Sequence, residues 1–249
     1  MLALILAGGR GLRLTPYTRV LPKPLLPVGE RPVLAILLER LRLAGTRRAV
    51  IALGYLGELI RTYFGDGRRA GIDLSYLVEE EPLGTAGPIR LLPRQEAPFL
   101  VVNGDILTDL PFADLYRAHL EEGAVMTVAA REHRIRLEYG RLLAAGRTLL
   151  AWEEKPCLSS LIGIGAYVVD PEVQDLCPDG RIEMPELVTR LIEAGRRVAV
   201  YRTEAYWRDI GTPEEYHAVN QSPPEFMAGE DFADGVMGFA FGQRDNSRL

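Results

Sequence analysis

Cysteine is scarce in this chain: 249 residues carry two, Cys157 and Cys177. Their spacing matches no metal-ligand pattern. Disulfide and zinc frameworks are therefore not expected, and a reduced, cytoplasmic protein is. A basic block is missing too. The net charge is −5, without the clustered positive field of a dedicated nucleic-acid binder. No apolar run approaches the roughly 20 residues that a membrane helix needs. The opening apolar stretch lacks the basic leader of a secretory signal and is too short for one. Histidine is rare. His119, His133 and His217 lie outside every motif described below, and all three are expected at the surface. Internal repeats and low-complexity segments are also lacking.

What remains is ordinary globular composition, 47% hydrophobic and 25% charged, in a chain long enough to bury a sizeable core. Apolar strands alternate with amphipathic helices. Strands are predicted at 2–6, 49–54, 72–78, 99–105, 124–131, 163–170 and 197–204, with a hairpin over 141–154 turning at "AAGR". Helices are predicted at 31–45, 56–65, 111–123, 184–195 and 212–220. The last begins on Thr212, with Glu215 at the capping-box position. Repeated β-α-β units followed by a more antiparallel section predict a three-layer α/β domain around a mostly parallel sheet. Ligands of such sheets bind at the carboxyl ends of the strands. Residues 1–221 read as that domain. Residues 222–249 read as an extension without a clean period, either an appended helix or a loosely held tail.

The first strand runs straight into "LAGGRGLRL" (6–14). This is neither G-x-x-x-x-G-K-[ST] nor G-x-G-x-x-G, so a P-loop and the dinucleotide fingerprint are both excluded. Gly8, Gly9 and Gly11 leave the backbone N–H groups open to anionic oxygens. Arg10 and Arg13 add guanidinium forks. A surface turn that happens to hold arginines would look the same in isolation. In "TPYTRVLPKPLLPVG" (15–29), Lys23 stands between two prolines. These are expected to hold the loop extended, making the lysine a second phosphate contact rather than a solvated side chain. "VVNGDILTD" (101–109) ends a buried strand in Asp105, where Mg²⁺ could be held by one or two carboxylates and phosphate oxygens. Asp109 reads as a helix cap. Asp209 in "YWRDIGTPEEY" is either a second metal ligand or another cap.

Taken in order, "LAGGRGLRLTPYTRVLPKPLLPVGERPVL", "FGDGRRAGIDLSYLVEEEPLGTAG", "VVNGDILTDL", "YGRL", "EEKP" and "YWRDIGTPEEY" resemble the sugar-1-phosphate nucleotidylyltransferases over roughly residues 1–220. The resemblance implies a Rossmann-like nucleotidyltransferase fold with a mixed, mostly parallel central sheet. It also implies the reaction NTP plus sugar 1-phosphate to NDP-sugar plus pyrophosphate, with Mg²⁺. By the same resemblance the nucleotide lies on Leu6, Ala7, Gly8, Gly9 and Gly11. Glu79, Pro82, Gly84 and Thr85 are placed at the base, and Asn103 and Gly104 beside it. Arg13 and Lys23 are the catalytic cations, and Asp105 and Asp209 the metal ligands. Gly140, Glu154, Lys155, Gly163 and Trp207 line the sugar-phosphate side, although "EEKP" alone would also pass as a hairpin-edge charge cluster.

Glu79 stands where thymidylyl members carry a glutamine. A carboxylate only accepts hydrogen bonds. Guanine offers two adjacent donors, whereas thymine offers one donor between two carbonyls. GTP is therefore the expected donor, with a mannose- or heptose-like acceptor. Leu12 replaces the family's usual threonine, and Gly163 an asparagine that often contacts the sugar. A thymidylyl- or uridylyltransferase on a glucose-type sugar, or a catalytically silent regulatory homologue, are the alternatives. A homo-oligomer is possible by the family's habit.

Overall fold

The computed structural model describes residues 1–227. Its first strand, β1 (Leu2–Ala7), is apolar throughout because both of its faces are covered. Ala3, Ile5 and Ala7 point into one core layer and Leu4 into the other. Three 3₁₀ turns follow, at Leu12–Leu14, Tyr17–Arg19 and Lys23–Leu25. Then come the short ribbon β2 (Pro27–Val28) and β3 (Arg31–Pro32), α1 (Val33–Leu43), β4 (Arg48–Leu53), α2 (Gly57–Phe64), β5 (Asp73–Val78) and α3 (Pro88–Leu91). The chain continues through β6 (Phe99–Asn103), β7 (Ile106–Thr108), α4 (Phe112–Glu122), β8 (Met126–Arg136), β9 (Arg141–Ala145), β10 (Thr148–Glu153) and β11 (Cys157–Val169). It closes with α5 (Glu172–Leu176), α6 (Met184–Glu193), β12 (Val198–Arg202), β13 (Trp207–Asp209) and α7 (Pro213–Gln221).

Seven strands form the central sheet in the order β12-β8-β11-β6-β1-β4-β5. Only β11 runs against the other six, pairing antiparallel with both β6 and β8. Leu34, Leu37 and Leu41 of α1, Ile60 of α2 and Phe112 of α4 cover one face. Ile89 of α3, Val173 of α5, and Leu187 and Leu191 of α6 cover the other. This is a three-layer α/β fold with a mixed, mostly parallel sheet. From β1 the chain steps outward to β4 and β5, then returns to lay β6 on the opposite side of β1. The carboxyl ends of β1 and β6 thus flank a topological switch point, where an open α/β sheet leaves a crevice for a ligand.

Several local expectations change. Strands predicted over 124–131 and 163–170 run on as a two-stranded arm, with pairs from Gly163↔Ala130 out to Cys157↔Arg136. Beyond the core both arm faces meet solvent, so the inside–outside alternation that marks a half-buried strand is lost. The hairpin β9–β10 sits at the tip of this arm. Lys23 does not lie on an extended loop: it opens a 3₁₀ turn, and only Pro22 before it is extended. Asp109 does not cap α4. Its carboxylate accepts the Tyr206 N–H at 2.7 Å. His119 is not at the surface. It is 2% exposed, held between Thr127 Oγ1 at 2.9 Å and Asp170 at 3.5 Å. It lies on the inner face of amphipathic α4, where a polar residue has to find partners. His133 and His217 are exposed, as expected. Of the extension, residues 222–227 are described. Phe226 packs on Tyr206, with ring centroids 5.7 Å apart, and the Arg40 guanidinium lies over its ring. The reading of 228–249 lies outside the described residues.

Candidate active site

The turn after β1 is built for close backbone approach. A Cβ on Gly54, which ends β4, would stand 2.6 Å from the Gly8 carbonyl oxygen. One on Gly104 would stand 3.0 Å from the Leu6 oxygen, to which the Gly104 N–H donates at 2.8 Å. Three neighbouring strand ends therefore press together through glycine. Gly11 takes φ +59°, a left-handed conformation that few side chains adopt, and its carbonyl accepts from the Thr18 hydroxyl. This turn walls a cavity of about 370 Å³ with Leu6, Ala7, Gly9, Arg10, Gly11, Leu12 and Arg13. Lys23, Pro24, Asp105 and Gly211 complete the wall. Leu12 points outward, 73% exposed.

Across the cavity lies an ion-paired cluster. Lys23 Nζ is 2.7 Å from Asp105 Oδ2 and 2.7 Å from Asp209 Oδ1. Arg13 Nη2 is 3.8 Å from Asp209 Oδ2. The Lys23 side chain is only 9% exposed. Burial pulls its pKa down, but the two carboxylates outweigh that pull and hold it above its ordinary value, so it remains an ammonium. The acids meet because β13 pairs antiparallel with β7 in the register Asp209↔Ile106, one residue from Asp105. Helix capping does not occupy Asp209. Thr212 and Glu215 form the full capping box of α7.

The fit of a divalent ion can be judged from these donors. No group of three or more His, Cys, Asp or Glu side chains gathers as a metal cluster among the described residues. Two carboxylates already converge on one cation, the Lys23 ammonium. That donor set is too small for a closed protein cage. It suits Mg²⁺, which takes one or two carboxylates and completes its shell with water and substrate phosphates.

The segment after β5 reaches the glycine turn through Glu79, although none of its residues is in the cavity wall. Glu79 Oε2 accepts the Leu83 N–H at 2.9 Å, and a Cβ on Gly8 would lie 2.5 Å from Glu79 Oε1. Burial pushes the Glu79 carboxyl pKa up, against the opposing Leu83 hydrogen bond. Glu80, Glu81 and Pro82 are exposed. Gly84 takes φ +76°, and a Cβ there would stand 2.5 Å from the Ile182 oxygen. The Thr85 hydroxyl faces α6, where it donates to Glu183 at 3.0 Å and accepts the Met184 N–H at 2.7 Å. Asn103 lies against Gly165, whose absent side chain makes room for it.

The residues assigned to the sugar-phosphate side are more dispersed. Trp207 Nε1 donates to the Ile164 carbonyl at 2.8 Å. Gly163 has open space: a Cβ would meet only Val128, at 3.6 Å. Gly140 lies against the Trp152 indole, whose N–H donates to Glu154 at 3.2 Å. Lys155 carries φ +43°. Gly140, Glu154 and Lys155 sit where the arm meets its hairpin, and none is in the cavity wall. Gly54, Gly211 and Glu183 went unnoticed in the sequence. Gly54 had a visible signal, a glycine directly at the end of the second parallel strand.

Comparison with known proteins fits this geometry. A family model described as nucleotidyl transferase matches residues 2–224. The chain is 34% identical to the mannose-1-phosphate guanylyltransferase catalytic subunit beta of Danio rerio, over 95% of this chain and 71% of that protein. It is 32% identical to a UTP–glucose-1-phosphate uridylyltransferase of Synechocystis, over 87% of this chain and 61% of that one. Among solved structures it is similar to HddC from Yersinia pseudotuberculosis complexed with GMP-PN. That match has a TM-score of 0.70 and 25% identity, and covers 88% of this chain and 98% of that one.

Proposed function

Because the chain belongs to the nucleotidyl transferase family, we propose that it transfers a nucleoside monophosphate from an NTP to a sugar 1-phosphate. The donor is GTP, and the acceptor is a mannose- or heptose-like sugar phosphate. One observation carries the reading. A glycine-rich turn, Arg13, Lys23 and Asp105 line a single cavity at the switch point of the sheet, and Asp209 is ion-paired to both of those cations.

An acceptor phosphate oxygen attacks the α-phosphorus. The bond from Pα to the bridging oxygen of the β-phosphate breaks, and pyrophosphate leaves with the electron pair. The acceptor phosphate has a second pKa of about 6 and is largely dianionic at neutral pH, so no general base is needed. The protein's work is alignment and charge stabilisation. Backbone N–H groups of the Gly8–Gly11 turn hold the triphosphate. Arg13, 72% exposed at the cavity mouth, turns inward onto the departing pyrophosphate. Lys23 supplies a fixed ammonium beside the reacting centre. Asp105 and Asp209 would hold Mg²⁺, which when bound offsets phosphate charge. Glu79 accepts from guanine through Oε1, while Oε2 stays tied to Leu83.

The test is pyrophosphate release with Mg²⁺, crossing GTP, UTP, dTTP, CTP and ATP with mannose, heptose, glucose and glucosamine 1-phosphates. Turnover led by GTP supports the Glu79 reading. Turnover led by UTP or dTTP keeps the reaction and removes the guanine assignment. The uridylyltransferase relative makes UTP the second reading to weigh. Nucleotide binding without turnover would point to a silent regulatory homologue.

A further inference from the structure

Glu183 lies 104 residues after Glu79 in the chain, yet the structure ties it to the same loop. Its Oε2 accepts both the Thr85 N–H at 3.1 Å and the Thr85 hydroxyl at 3.0 Å. Its Oε1 accepts from Arg181 at 3.1 Å. Glu183 stands at the N-cap of α6 but does not cap the helix with its own side chain. The first N–H of α6, that of Met184, goes instead to the Thr85 hydroxyl at 2.7 Å. Two backbone bonds run alongside: Ile182 N–H to Leu83 O at 2.9 Å, and Ala86 N–H to Ile182 O at 3.0 Å. Gly84 presses its left-handed backbone onto the Ile182 carbonyl.

An N-cap position favours a short acceptor that can reach its own helix. Glutamate is too long for that task, and here its carboxylate reaches away from α6 into the loop. Residues 80–82 are exposed. The Glu79 backbone is held by its N–H to the Leu53 carbonyl at 2.8 Å, but its carboxylate is held through Leu83 N–H, and the ties of Leu83, Thr85 and Ala86 run to residues 182–184. Hydrogen bonds to a charged acceptor are among the stronger ones a protein makes.

We infer that Glu183 is a positioning residue for nucleotide selection. Through Thr85 and Leu83 it sets where the Glu79 carboxylate stands against the Gly8 turn, and so sets the discrimination between guanine and uracil donors. The inference rests on the proposed function and adds to it a residue with no contact to the cavity. A small displacement of an acceptor weakens one base contact and leaves the cations at the α-phosphate untouched. The effect therefore belongs in KM and in the ratio between nucleotides, and not in kcat.

The experiment is a double-mutant cycle on the full chain with Glu183→Ala, Glu79→Gln and both together. It measures kcat and KM for GTP and for UTP at saturating sugar phosphate, and equilibrium binding of each nucleotide alone. The Glu183→Ala variant is expected to shrink the GTP-to-UTP ratio of kcat/KM about tenfold, a size typical of one misplaced polar contact. The change should come through KM, with kcat within about twofold. In the Glu79→Gln background the same change should do nothing further, because residues acting through one another are non-additive. Glu183→Gln, which keeps an acceptor for Thr85, should restore most of the ratio. Equal loss for both nucleotides, or full additivity with Glu79→Gln, would overturn the inference. Should Glu183→Ala fail to fold, Glu183→Asp, one methylene shorter and so unable to hold both the Thr85 N–H and the Thr85 hydroxyl, carries the same expectation. A wild type that binds neither nucleotide would instead remove the proposed function, and this inference with it.

Discussion

Lys23 and Lys155 are the only lysines in the chain, against 27 arginines. At position 23 the reason is geometric. An ammonium 2.7 Å from each of two carboxylates is a compact point charge with three donors. A planar guanidinium has a different shape and would push Asp105 and Asp209 apart. Lys23→Arg is therefore expected to be nearly as damaging as Lys23→Met. Each should lower kcat by roughly 10²–10³, as removal of one charge-stabilising donor does, and steady-state pyrophosphate release measures it. Glu79 supports a pH prediction. Its carboxyl pKa is raised by burial, so as pH falls it loses its charge earlier than an ordinary glutamate. KM for GTP should rise on that acid limb. A pH series of GTP binding should show the limb in the wild type and not in Glu79→Gln.

At the scale of elements, the longer elements with a buried face are legible in the sequence, whereas the short helices α3 and α5, buried through Ile89 and Val173, are not. The doubly buried run Leu2–Ala7, the glycine stop at Gly65 after α2 and the Thr212–Glu215 capping box each state their structure locally. Legibility also fails where structure depends on a partner far along the chain. The three-residue strands β7 and β13 have no period long enough to detect, and they exist because they pair. That pairing turns two isolated acids into a site. The tie from Glu183 to Thr85 is equally non-local. His119 failed for a different reason: rarity and distance from motifs say nothing about burial. Its pKa is lowered, with burial the larger cause and Asp170 opposing it. The unfolded chain, near 6.5, takes the proton first. Its contribution is thus fully present above that pH and is lost as pH falls below it. Melting temperatures from pH 7.5 down to 5.5 should drop more steeply for the wild type than for His119→Gln, which keeps a hydrogen-bonding side chain.

Seen whole, the molecule separates a packed three-layer platform from a two-stranded appendage. The arm and its hairpin carry exposed apolar side chains, among them Leu142, Leu149, Leu150 and Trp152. They add nothing to either core layer. Replacing 141–153 with a short glycine-rich turn should leave the melting temperature within about 2 °C, as expected for surface changes. GTP binding should be unchanged. If Glu154 and Lys155 hold the acceptor, KM for the sugar phosphate should rise severalfold, and comparing the two substrates in one assay separates these effects.

The pairing of β7 with β13 also sets an order in time. A chain leaves the ribosome N-terminus first, so the glycine turn, Lys23 and Asp105 are made early. Asp209 follows Asp105 about a hundred residues later, roughly 5–20 s at ordinary rates of synthesis. Until then Lys23 has one carboxylate partner rather than two, and the nascent platform can bury β1, β4 and β6 around a cavity that lacks one wall. The ion-paired cluster thus closes only after the strands and helices between Asp105 and Asp209 have been synthesised.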